Sequence, residues 1–216
     1  MREALAASAV LELFATAEAI DRYPSLAADA SEISPRDAAA LSETVTPQGL
    51  VAVCSLPQPS LAQLLDRSPR LVAVLVEPND PGNLGTIIRT ADAAGADAVV
   101  VDGGVDPYNG KAVRASAGSL FHLPVVAAPV ADVLSSGLST LATSGAGTSD
   151  LDDLIGSGDL ADPSAWLFGT EAHGLPPAVL SGAARTVRVP IYGRAESLNL
   201  AAAAAVCLYA SARAQR

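Results

Sequence analysis

From residue 71 onward, unbroken apolar runs alternate with amphipathic ones. "LVAVLVEP" at 71–78 is a continuous apolar run, the pattern of a strand buried on both faces. Residues 79–83, "NDPGN", are turn formers. After them Leu84, Ile87, Ile88, Ala91 and Ala94 recur at helical spacing, with Arg89 on another face. "ADAVVVDGG" at 96–104 reads as a second buried strand, and "KAVRASAGSLFHLPVV" at 111–126 as a helix leading into a short strand. "LSTLATSG" (138–145), "SAWLFGTE" (164–171) and "TVRVPI" (186–191) are further strands, and "SLNLAAAAAVCLYASARAQ" (197–215) is a long terminal helix. Strands alternating with helices predict an α/β fold with a largely parallel sheet.

The first 70 residues are patterned less clearly. Residues 2–20 read as an amphipathic helix, "SPRDAAALSET" (34–44) as a short helix capped by Ser34 and opened by Pro35, and "GLVAVCSL" (49–56) as a strand. "PQPSLAQLLDRSPR" reads as a linker with a short helix between two proline turns. The expected organisation is therefore a small unit over 1–56, a linker over 57–70 and a main domain over 71–216.

Composition changes this picture little. Half of the 216 residues are hydrophobic, enough for a sizeable core. The formal net charge of −10 argues by itself against a nucleic-acid binder. The cations are unevenly placed, however. Lys111, Arg114, Arg188 and Arg194 accompany the candidate motifs, whereas Asp150, Asp152, Asp153, Asp159 and Asp162 gather elsewhere in the sequence. Cys54 and Cys207, far apart in apolar surroundings, read as reduced core thiols. Glu3 and Glu12 interrupt the first apolar stretch, so no signal peptide is expected. Leu200–Ala212 is too short to span a bilayer. A cytoplasmic protein without membrane attachment is expected.

In an open parallel sheet, ligands bind beyond the carboxyl ends of the strands. The turns 77–85, 103–110, 168–175 and 189–199 fall there and hold much of the out-of-place Gly, Asn, Arg and Glu. No G-x-G-x-x-G follows a strand, and neither a P-loop nor a G-x-S-x-G elbow is present. His122 and His173 are isolated, so no metal site is expected. What remains is Gly169 directly after an apolar strand, where a ligand could lie against bare backbone. Glu171 stands at the rim, and Ser197 and Asn199 stand at the start of the terminal helix. Each has a purely structural reading. Asn83 and Ser197 could be helix caps, Glu171 a solvated charge, and Arg89 a partner of Asp92 at i+3.

Taken together, three segments resemble the ordered motifs of the SpoU (TrmH-type) RNA ribose 2′-O-methyltransferases of the SPOUT superfamily. They are "NLGTIIRTADAAG" with Asn83 and Arg89, "GTEAHGL" with Gly169, Glu171 and Gly174, and "VPIYGRAESLN" with Ser197 and Asn199. "DPYNGKAVRASAGSLFHLPV" (106–125) is also typical, and the resemblance covers 71–216 nearly end to end. "REALAAS" and "LSETVTPQGLVAVC" resemble the distal part of an N-terminal α/β RNA-binding domain related to kink-turn-binding ribosomal proteins. The beginning of that domain is missing, because Met1 lands almost on the "REAL" helix.

The resemblance implies a parallel sheet with a deep C-terminal trefoil knot, preceded by a small partial α/β RNA-binding domain, in a homodimer with the site near the subunit interface. It implies S-adenosyl-L-methionine as cofactor, lined by Gly169, Val189, Ile191, Leu198 and Thr143. It also implies a catalytic set of Arg89, Asn83, Glu171, Ser197 and Asn199, RNA contacts from Arg89, Lys111, Arg114 and Arg194, and no metal. The N-terminal resemblance favours ribosomal RNA over transfer RNA. A guanidinium has a pKa above about 12 and is a poor base alone. Either the RNA phosphate helps to take the hydroxyl proton, or Arg89 positions the phosphate and stabilises the forming alkoxide. The alternative is a non-catalytic RNA-binding or assembly protein that keeps the fold, against which intact Arg89, Glu171 and Asn199 argue. A small-molecule-binding domain is disfavoured by the local cations, and base methylation by the Asn/Arg first motif.

Overall fold

The computed structural model describes residues 1–42, 44 and 46–216. Glu43 and Val45, which fall in two of the N-terminal segments quoted above, lie outside the described residues. The chain forms two units, Met1–Pro57 and Gln58–Arg216.

The first unit runs α1 (Arg2–Ala6), β1 (Val10–Ala15), α2 (Ala17–Arg22), β2 (Ser31–Glu32), α3 (Pro35–Leu41) and β3 (Leu50–Cys54). β1 is the central strand, parallel to β2 and antiparallel to β3. The single helix expected over 2–20 is therefore two short helices around a strand. The pairing of β1 with β3 shifts register between Val10 and Glu12, and such an irregularity removes the period-two alternation by which a strand is recognised. Ser34 caps α3 as expected, its Oγ accepting from the Asp37 amide at 3.1 Å.

The second unit begins with α4 (Leu61–Leu65), closed by a reciprocal Ser60–Gln63 capping box. This helix lies in the stretch read as a linker, yet Leu64 is buried against the sheet with Val72 and Val74. The chain continues through β4 (Leu71–Val76), α5 (Pro81–Ala94), β5 (Ala98–Asp102), α6 (Gly110–Ala115), a 3-10 turn (Ser119–Phe121), β6 (Val125–Ala127), α7 (Val130–Leu134), β7 (Ser139–Thr143), β8 (Ser149–Asp150), α8 (Leu151–Ser157), β9 (Ser164–Phe168), α9 (Pro177–Gly182), β10 (Arg185–Arg188) and α10 (Leu200–Ala214). The sheet order is β6-β5-β4-β9-β7-β10-β8, and every pairing is parallel.

All six residues of β4 are buried because helices cover both faces. Leu71, Ala73 and Leu75 pack with α5 and α10, while Val72, Val74 and Val76 pack with α4, α7 and α9. The apolar face read on α5 is buried as expected, but the helix starts three residues earlier than its apolar pattern. Pro81 takes the first helical position, where a missing N–H costs nothing, and Asp80 caps it.

α10 is fixed to the sheet by a buried polar contact, with Trp166 Nε1 of β9 donating to Ser211 Oγ at 2.8 Å. Ser211→Ala would leave the indole N–H without an acceptor. Its expected cost is about 1–3 kcal/mol, read as a lowered midpoint in chemical denaturation. An unchanged midpoint would show that the contact contributes nothing to docking α10.

Candidate active site

Four neighbouring strands bring their carboxyl ends together in the order β4, β9, β7, β10. Each contributes a loop. The loop after β4 leads into α5, where Asp80 Oδ1 accepts from the Asn83 amide at 2.7 Å and so closes the first turn. The loop after β9 turns back on itself. Thr170 and Gly174 pair through two backbone hydrogen bonds of 3.2 and 2.8 Å, which holds Glu171 on the outside of the turn. The loop after β10 ends in Asn199, whose Oδ1 accepts from the Ala201 and Ala202 amides at 2.9 and 3.3 Å. Asn199, not Ser197, is thus the cap of α10. An Asn fits that task because its other amide end stays available.

That free end makes the site. Asn199 Nδ2 donates to Glu171 Oε1 at 3.1 Å and to Asn83 Oδ1 at 3.3 Å. Asn83 Nδ2 donates to the same Glu171 oxygen at 2.6 Å. Residues 83, 171 and 199 therefore form a closed triangle of side chains, built from three separate loops. Two more of the purely structural readings are thereby corrected, as that of Ser197 was above. Asn83 does not cap α5, and Glu171 is not merely a solvated charge.

Beside the triangle lies a cavity of about 430 Å³ at the ends of β7, β9 and β10. Thr143, Gly169, Val189, Ile191 and Leu198 all line it, as do Glu171, Ser197 and Asn199. Ser144, Gly145, Val187, Glu196, Leu200 and Ala203 complete much of the wall and were not singled out from sequence. Apart from Glu196 they are small or apolar, so only their adjacency to named residues could have marked them. Gly169 differs in one respect from its reading. Its bare Cα faces the chain itself, since a Cβ there would come within 2.2 Å of the Gly174 carbonyl. Among the described residues, the backbone between Ile191 and Leu198 makes no backbone–backbone hydrogen bond, so its amides and carbonyls are open to a ligand.

Arg89 stands apart from the triangle. It is exposed on the third turn of α5, six residues and about 9 Å along the axis beyond Asn83. The Asp92 pairing does not form, because Asp92 Oδ2 contacts His122 Nδ1 at 3.0 Å. Arg89, Arg114 and Arg194 make no ion pair among the described residues, whereas Lys111 is bound to Asp80 at 2.9 Å. Arg188 pairs with Asp150 at 2.9 Å, and Tyr192 donates to Asp152. Two of the acids that looked segregated in sequence, Asp150 and Asp152, thus sit beside the third loop, whereas Asp159 pairs with Arg185 at the start of β10. Among the described residues no cluster of His, Cys, Asp or Glu is arranged to hold a metal. Both cysteines are free. Cys207 is buried, and burial pushes its thiol up to about 12, while Cys54 is only partly buried.

A parallel α/β sheet with its ligand crevice and polar triangle beyond the strand ends defines the class, an α/β enzyme of the doubly wound kind. Residues 70–209 match the model of the SpoU rRNA Methylase family, and the chain belongs to that family. It is 41% identical over 175 residues to a 23S rRNA guanosine 2′-O-methyltransferase of Bacillus subtilis (strain 168), covering 79% of this chain and 67% of that protein. It is 36% identical to a 23S rRNA uridine 2′-O-methyltransferase of Streptomyces viridochromogenes, covering 77% of this chain and 61% of the relative. The chain thus spans about two thirds of the length of these relatives. Among solved structures, an AdoMet-bound rRNA methyltransferase from Sinorhizobium meliloti superposes with a TM-score of 0.82 at 30% identity, covering 99% of this chain and 85% of that one. The SpoU methyltransferase AviRb from Streptomyces viridochromogenes, in complex with AdoMet, gives 0.82 at 32% identity, covering 98% and 86%.

Proposed function

We propose that the protein transfers a methyl group from S-adenosyl-L-methionine to a ribose 2′-hydroxyl of ribosomal RNA in the cytoplasm. The observation that carries this reading is the Asn83–Glu171–Asn199 triangle at the mouth of a cavity with the right lining. Val187, Val189, Ile191, Leu198 and Leu200 offer an apolar wall to an adenine, the open loop backbone offers hydrogen bonds to its edge, and Glu171 and Glu196 offer negative charge to a sulfonium. When bound, the cofactor supplies an electrophilic methyl carbon.

The chain itself supplies alignment and charge. Glu171 fixes both Asn side chains, so a ribose meets a pre-set edge of donors and acceptors. Arg89, free of any carboxylate partner among the described residues, gives its planar fork to the phosphodiester and to the charge that develops on the 2′ oxygen. Arg114 and Arg194 add phosphate contacts. Residues 1–57 act as an RNA-binding unit.

Two architectural features belong to the same reading. The protein is a homodimer with the site near the subunit interface. Val206 and Tyr209 of α10 are 44% and 52% exposed and lie on one helical face, and Tyr192 beside the cavity is 83% exposed. The chain closes a deep trefoil knot. The position of β10 between β7 and β8, with α10 returning to α5 and β4, supports that path.

Calorimetry of the full chain with S-adenosylmethionine should detect binding at a one-to-one ratio per chain. Mapping of 2′-O-methyl sites in ribosomal RNA from cells with and without the protein should show one site lost. A folded protein that binds no cofactor up to the millimolar range would overturn the reading.

A further inference from the structure

We infer that Asp80 and Lys111 form a positioning couple that holds Asn83 in the site, and that Lys111 is not an RNA contact. The inference rests on the methyltransferase reading above.

Asp80 uses its two carboxylate oxygens for two tasks. Oδ1 accepts from the Asn83 amide at 2.7 Å, and Oδ2 accepts from Lys111 Nζ at 2.9 Å. Lys111 is itself placed by Asn109, whose Oδ1 accepts from the Lys111 and Ala112 amides and caps α6. The couple therefore joins the first turns of two helices, and Asn83, the corner of the triangle whose amide Asp80 holds, carries that link to Glu171 and Asn199.

Two glycines make room for it. A Cβ on Gly82 would come within 2.8 Å of Asp80 Oδ1 and 3.2 Å of Lys111 Cε. One turn later, a Cβ on Gly85 would come within 2.3 Å of the Ala112 carbonyl. Both glycines thus face α6 or its Lys111 side chain, and the close approach fixes how far α5 can slide. Within that seat, Asn83 Nδ2 reaches Glu171 at 2.6 Å.

The ion pair is half open to water, with side chains 57% and 41% exposed, so it adds little to overall stability. Its charges are also matched. The Lys111 ammonium beside Asp80 holds that carboxyl below the usual carboxylate range. Lys111 Nζ already donates to Asp80 Oδ2, so a phosphate would have to displace that contact. What the pair can do is fix a side chain, and Asn83 is the one it reaches.

The test compares Lys111→Met and Asp80→Asn. Asn at 80 keeps an oxygen for the Asn83 amide but loses the ionic partner. Both variants are expected to melt near the wild type and to lower kcat about tenfold or more, the scale of a small misplacement at a reacting centre. The RNA KM and the salt dependence of RNA binding should stay unchanged, and Lys111→Arg should restore much of kcat. If Lys111 contacts phosphate instead, Lys111→Met raises the RNA KM and flattens the log–log salt slope by about one, and Asp80→Asn tightens RNA binding. Either result overturns the inference. A second readout needs no activity. The side-chain amide NMR signals of Asn83 and Asn199 should shift in both variants and stay put if the couple does not position them. Should the wild type methylate no RNA, the function fails while these signals still decide the positioning.

Discussion

Arg89→Ala is expected to lower methyl transfer by a factor on the order of 100 or more, about what removal of one charge-stabilising donor costs. The melting curve and the cofactor affinity should remain near those of the wild type. Arg89 is exposed on α5 and makes no ion pair among the described residues, and Ala is the better helix former, so folding has nothing to lose. The acid that could have made it structural, Asp92, is held by His122. The cavity is walled by the loops after β7, β9 and β10, without Arg89. Arg89→Lys should rescue little, because a point charge does not reproduce a fork that spans a hydroxyl and a phosphate. The measurement is single-turnover methylation at saturating cofactor and RNA. Turnover near the wild type would remove Arg89 from the chemistry.

The residues of the triangle could be read from the sequence, but their bonding could not. Asn83, Glu171 and Asn199 stand out because each is a polar residue just beyond an apolar strand or at a helix start. That Glu171 accepts from both Asn side chains depends on β9 lying beside β4, with β7 and β10 beyond. Strand order is a long-range property with no local trace in residue pattern. The strands β4, β5 and β9 were legible for the opposite reason. They are buried on both faces, so their apolar runs are uninterrupted. β1 was lost because its register shift disturbs alternation. The short helices α7, α8 and α9, of five to seven residues, were missed because one or two turns give too little periodicity to detect. Lys111 shows the same limit in its charge. Its pairing with Asp80, 31 residues away, leaves no trace in the local sequence.

Gly169→Ala is expected to damage both stability and cofactor binding, although it adds a single methyl group. The new Cβ would fall 2.2 Å from the carbonyl carbon and oxygen of Gly174 and 2.4 Å from the Leu175 amide nitrogen. These are backbone atoms, which cannot swing aside as a side chain could, so the turn itself must open. Overpacking of this kind costs about 1–3 kcal/mol. The opening falls on the two Thr170–Gly174 hydrogen bonds that keep Glu171 facing Asn83 and Asn199. The same turn forms one wall of the cavity. Cofactor affinity should therefore drop by about tenfold or more, equivalent to 1.4 kcal/mol. Gly145→Ala is the control for the cost of a methyl group as such. Gly145 lines the same cavity, has a φ outside the left-handed region, and a Cβ there meets nothing within 4 Å. Its melting temperature should match the wild type. The comparison needs thermal denaturation of both variants and calorimetry of Gly169→Ala. If Gly169→Ala melts and binds like the wild type, the packing of Gly169 against Gly174 does not hold the Glu171 turn.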